Sequence, residues 1–82
     1  MTTVTVRLFA RARDLAGANF VSVDIADRAS VADLRQALVH RVPALEGFLA
    51  RCAVAVNEEF ADDDQALPAN AEVALLPPVS GG

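Results

Sequence analysis

The 82 residues suffice for one small domain and exclude a second; 54% are hydrophobic, with four Phe and neither Trp nor Tyr, which predicts a tightly packed aliphatic core. A net charge of −4 argues against nucleic-acid or anionic-membrane binding, both of which reward a basic face, and is compatible with a basic protein partner. No window approaches the roughly 18 consecutive apolar residues of a membrane span, and the opening "MTTVTVRLFARAR" lacks the pattern of a signal peptide, so the cytoplasm is the expected location.

Residues 3–9, "TVTVRLF", alternate, with Val4, Val6 and Leu8 on the inner face of a half-buried strand and Phe9 on the solvent face. "ARARDLAG" combines helix formers with a left-handed stop at Gly17, which predicts a short helix over 11–16. "FVSVDI" (20–25) is a second alternating strand with Val21, Val23 and Ile25 inward. Ser30 and Asp33 form an N-terminal cap for a longer helix whose stripe is Val31, Leu34, Ala37 and Leu38, closed by Pro43. "PALEGFLA" predicts a further short turn that tucks Leu45, Phe48 and Leu49 under the sheet. "CAVAV" (52–56) reads as a strand, "NEE" as a turn before Phe60, "ADDDQALPAN" as an acidic loop, and "EVALL" (72–76) as the last strand with Val73 and Leu75 inward. The order β, short α, β, long α, β, β predicts a two-layer α+β fold, a mixed sheet packed by one principal helix. If the last strand pairs beside the first, it occupies the sheet centre.

The side chains supply little chemistry. His40 lies off the apolar helix stripe and has no serine or cysteine placed as a nucleophilic partner, so it reads as a surface histidine. Cys52, the sole cysteine, shares a strand face with Val54 and Val56 and reads as a buried apolar thiol. Asp62, Asp63 and Asp64 lack the spacing and glycine of an EF-hand, so a solvated turn is expected and no metal. All seven cations are arginine, so no amine is available for Schiff-base chemistry. No phosphate-binding glycine loop, dinucleotide fingerprint or metal-binding helix motif occurs.

One unusual group remains, the carboxylate that follows "LLPPVSGG". Pro77 and Pro78 cannot donate to a ladder and favour an extended backbone, so they end the strand and divide the chain into a domain over 1–76 and a tail over 77–82. Residues 77–82 reach up to about 20 Å if extended, and Gly81 and Gly82 give an arm able to enter a narrow channel. A free carboxylate is a poor electrophile, and must be activated, for example as an acyl-adenylate, before a sulfur nucleophile attacks it. A second protein has to supply ATP and catalysis.

With "VRLFARARDLAG", "SVADLRQAL", "VAVNEE" and above all "EVALLPPVSGG", the chain resembles, over essentially its whole length, the small subunit of molybdopterin synthase within the ubiquitin-like sulfur carriers. The resemblance implies a β-grasp fold and a Gly82 carboxylate that an E1-like enzyme adenylates with ATP and converts to a thiocarboxylate. It implies that this chain binds no cofactor and is a non-catalytic sulfur donor. Its tail would enter a larger catalytic subunit, in a heterotetramer, where the sulfur passes to a cyclic pyranopterin precursor in molybdenum cofactor biosynthesis. By position, Phe9, Phe60 and Leu76 match the family's apolar contact surface, Arg13 a partner-contacting arginine, and Pro77, Pro78, Val79 and Ser80 the inserted arm. The 11–16 helix and "PPVSGG" favour the molybdopterin branch over the thiamine carriers. A carrier for another sulfur pathway, a ubiquitin-like modifier and a passive interaction domain stay open as alternatives.

Overall fold

A computed structural model describes residues 1–78. In chain order the elements are β1 (Thr2–Leu8), α1 (Ala10–Ala16), β2 (Phe20–Ile25), α2 (Val31–Arg41), two 3-10 turns at Pro43–Leu45 and Leu49–Arg51, β3 (Ala53–Val56), β4 (Glu59–Phe60) and β5 (Val73–Leu76). The sheet order is β2-β1-β5-β3-β4, with β1 and β5 parallel and every other neighbouring pair antiparallel. One face carries α2 and the core, and the other faces solvent. This is the β-grasp arrangement expected of the chain, with β5 at its centre.

In β1 the alternation holds: Val4, Val6 and Leu8 are buried while Thr3, Thr5 and Arg7 are exposed. The strand runs one residue earlier than expected at both ends. Phe9 leaves the ladder to precede α1 with an extended backbone, and its carbonyl accepts the Ala12 N–H at 3.1 Å. Ala10 makes the sharp turn with φ of 49°, and Gly17, φ 70°, ends α1 by donating its N–H to the Arg13 carbonyl at 2.8 Å.

Helix α2 is specified at both ends. The Asp33 N–H donates to Ser30 Oγ at 3.2 Å and the Ser30 N–H to the Asp33 carboxylate at 3.0 Å, a reciprocal capping box. The next free donors, the N–H groups of Val31 and Ala32, reach the carbonyls of Gln65 and Asp63 at 3.0 and 2.9 Å. The acidic loop is therefore a structural partner of the helix as well as a solvated turn. Val31, Leu34 and Leu38 are fully buried, with Ala37 half-buried beside them. Arg35 ties this layer together, donating from Nε to Asp63 at 2.9 Å and from a terminal nitrogen to the Leu49 carbonyl at 2.7 Å.

Three details differ from the sequence reading. "PALEGFLA" forms two 3-10 turns, burying Leu45 and Leu49 but leaving Phe48 only half-covered. Glu59–Phe60 pairs with β3 as a fifth strand, because Asn57 and Glu58 both adopt positive φ (52° and 70°), as a two-residue hairpin turn requires. Leu67, within the acidic loop, is buried in the core and donates its N–H to the Ala29 carbonyl at 2.9 Å.

Candidate functional site

The outward face of the sheet has a definite composition because strand register lines up residues from all five strands. Phe20 on β2 lies opposite Arg7 on β1, Arg7 beside Ala74 on β5, Ala74 opposite Ala55 on β3, and Ala55 opposite Phe60 on β4. One step nearer the tail, Leu76 lies opposite Ala53, and Phe9 follows Leu8, the last residue of β1 to pair with β5. One step the other way the face becomes polar, with the hydroxyls of Thr5 and Ser22 hydrogen-bonded at 3.2 Å.

The upper half of this face is thus apolar and solvent-exposed. Phe60 is 76% exposed, Phe20 54% and Phe9 37%, whereas Leu76 is half-buried between its neighbours rather than fully outward. Alanines at positions 53, 55 and 74 make the floor low between these walls. Such a cluster of exposed large apolar groups makes this face a candidate interaction surface. Pro77 is half-buried and Pro78 exposed, and they continue β5 past Leu76 at the apolar end of the face. Arg13 is exposed on α1, one helical turn from Phe9. Val79, Ser80, Gly81 and Gly82 lie outside the described residues.

Two members of this surface were not singled out from the sequence, Phe20 and Arg7. The Arg7 guanidinium carbon sits 5.6 Å from the Phe9 ring centroid and 5.8 Å from that of Phe20. The signal for Phe20 was available: Val21, Val23 and Ile25 inward put Phe20 outward. Its neighbourhood to Arg7 depended on strand pairing and register.

Cys52 is buried, its thiol donates to the Phe48 carbonyl at 3.5 Å, and burial pushes its pKa up, opposed by the charges of Arg35 and Arg51. The thiol is therefore protonated at neutral pH and shielded from reagents. His40 is exposed on α2. Among the described residues no group of His, Cys, Asp or Glu is arranged to hold a metal ion, and no helix is long and apolar enough to cross a membrane.

The ThiS family model matches residues 6–82, from the middle of β1 to the C-terminus. The chain belongs to the ThiS family. This ThiS-family chain is 36% identical over 81 residues to the molybdopterin synthase sulfur carrier subunit of Chlamydomonas reinhardtii, covering 96% of this chain and 98% of the relative. It is also similar to the crystal structure of SAMP1 from Haloferax volcanii, at 38% identity and a TM-score of 0.88, covering 98% and 99% of the two chains. A third likeness, TM-score 0.69 at 26% identity over 99% and 100% of the chains, is to the complex of subunits 1 and 2 of the molybdopterin-converting factor from Helicobacter pylori.

Proposed function

We propose that this chain is the sulfur-carrier subunit of molybdopterin synthase. The Gly82 carboxylate attacks the α-phosphorus of ATP on an E1-like enzyme, giving an acyl-adenylate and releasing pyrophosphate. Hydrosulfide then displaces AMP and leaves a thiocarboxylate; a persulfide donor would do the same through an acyl disulfide whose S–S bond a second thiol cleaves reductively. The tail over 77–82 carries that sulfur into a large catalytic subunit, where it is transferred to the cyclic pyranopterin precursor. This chain binds no cofactor, and the catalytic groups sit on its partners.

The observation that carries the reading is the apolar row that crosses the sheet one step before Leu76, the residue from which "PPVSGG" departs. A face holding Phe9, Phe60 and Leu76 docks the body, with Arg13 at its α1 border, so that Pro77, Pro78, Val79 and Ser80 launch Gly81 and Gly82 in one direction. Docking and delivery are then one event. The names of the Chlamydomonas reinhardtii and Helicobacter pylori relatives support the pathway and the paired large subunit.

Intact-mass measurement of the protein made with its native partners tests this: a species in which sulfur has replaced one oxygen is expected, and its complete absence during cofactor synthesis overturns the reading. A second reading, a protein modifier, is favoured by the 39% identity to small archaeal modifier protein 1 of Haloferax volcanii. Recovery of the chain in isopeptide linkage to other proteins would establish it instead. Deleting Gly82, or replacing Gly81 with a bulky residue, is expected to abolish sulfur transfer while the melting temperature stays within about 1 °C, since no described core residue lies beyond Leu75.

A further inference from the structure

Within the apolar row there is one charge, on β1, next to the edge strand. Arg7 lies between Phe20 and Ala74 in register, with its guanidinium over the rings of Phe9 and Phe20. Among the described residues no carboxylate comes within 4.0 Å of it; the ion pairs there are Met1 with Asp27 and Arg35 with Asp63. Glu72 borders the same cleft of about 280 Å³ as Arg7 and Phe20 without pairing to Arg7. The cation is therefore held in place by two rings while its donors remain unspent on any side-chain anion among the described residues.

Resting on the carrier reading above, we propose that Arg7 is the specificity-determining residue of this face, and that it selects a partner surface presenting a carboxylate ringed by apolar side chains. Any partner that covers Phe9, Phe20, Phe60 and Leu76 strips water from Arg7 as well. A purely apolar partner leaves the guanidinium desolvated and unpaired, which opposes binding, whereas an aspartate or glutamate at that point accepts a charge-assisted and often bidentate hydrogen bond. Two rings limit the freedom the side chain has left to lose. The rim has the opposite sign: Glu58 and Glu72 are exposed and border clefts shared with Arg7. The complementary surface is therefore an acidic point in an apolar field with a basic border, a pattern that rejects both hydrophobic and uniformly basic partners.

The test measures dissociation constants of the full-length chain for the large subunit of molybdopterin synthase from the same organism, at low and high salt. Arg7→Met keeps the stem and adds apolar surface, so a face that reads only hydrophobicity binds equally well or tighter. Carboxylate selection instead requires about 30-fold weaker binding by Arg7→Met, and a larger loss by Arg7→Glu. Arg41→Met, on the helix layer, changes the net charge equally and is expected to bind within about 2-fold of the unmodified chain. Arg7 is exposed, so these variants fold, which melting curves verify. Undiminished binding by Arg7→Met, or an equal loss in Arg41→Met, overturns the assignment of Arg7 while the carrier reading stands. No binding by the unmodified chain overturns both.

Discussion

Two residues show how local backbone and charge set the margins of this fold. Glu58 occupies the second position of the β3–β4 turn with φ of 70°, a region that costs a side-chain-bearing residue about 1 kcal/mol or more. Asn57 before it suits the turn, and also holds β5 by donating its N–H to the Glu72 carbonyl at 2.7 Å and accepting the Glu72 N–H on Oδ1 at 2.9 Å. Glu58→Gly relieves the strain but loosens the unfolded chain, so a net gain of about 0.5 kcal/mol is expected, seen as a rise in melting temperature of about 3 °C. At the other end of the sheet, Asp27 accepts the Thr2 hydroxyl at 2.6 Å, with the N-terminal amine 3.7 Å away, and these hold its pKa below the ordinary 3.8. A lowered folded pKa means stability present above the unfolded value and lost as pH falls through the folded one. Asp27→Asn should therefore lose less stability than the unmodified chain between about pH 5 and pH 2.5, read from urea midpoints; parallel pH curves would show that the contact contributes nothing.

At the scale of elements, helix α2 is held to the rest of the chain chiefly by its apolar stripe, and Arg35 adds polar ties to two other segments. This side chain is 19% exposed and bonds both the Leu49 carbonyl and Asp63, joining the helix to a 3-10 turn and the acidic loop. Arg35→Met preserves the stem but leaves a carbonyl and a carboxylate without their donor, so a loss of about 1–2 kcal/mol is expected, as a lower urea midpoint with an unchanged slope. The elements themselves were legible where one face alternates or a cap is present: β1, β2, β5 and the Ser30–Asp33 start of α2 follow from pattern alone. What failed to show was whatever depends on distant partners. Glu59–Phe60 is too short for any period and exists because the turn returns it to β3. Leu67 looks like loop because its burial is created by Ala29 and the α2 N-terminus, not by its neighbours in sequence. The candidate site divides in the same way. Phe9, Phe60 and Leu76 could be proposed from strand phase and resemblance, but the row that joins Phe20 and Arg7 to them is a property of register across five strands.

The whole molecule separates what folds from what reacts. The core is continuous from Val4 to Leu75, the exposed large apolar residues among those described, Phe9, Phe20, Phe60 and Met1, lie at the solvent face of the sheet or at the N-terminus, and the proposed acyl donor stands six residues past Leu76 in "PPVSGG". A chain ending at Pro78 should therefore keep the melting temperature of the full protein within about 1 °C and keep the docking row, while having nothing to deliver. On the carrier reading, such a chain occupies the large subunit without donating sulfur. Added to a reconstituted synthase, it is expected to inhibit product formation competitively, with inhibition relieved by more of the thiocarboxylated full-length chain. Because the arm contributes contacts of its own, the truncated chain binds more weakly, and an inhibition constant about 10-fold above the full chain's Kd is the expected result. Phe60→Ser placed in the truncated chain removes a ring that is 76% exposed, so it should remove inhibition without lowering stability by more than about 0.5 kcal/mol. A truncated chain that folds but does not inhibit at any concentration would show that affinity resides in the arm, and that the sheet face is not the dock.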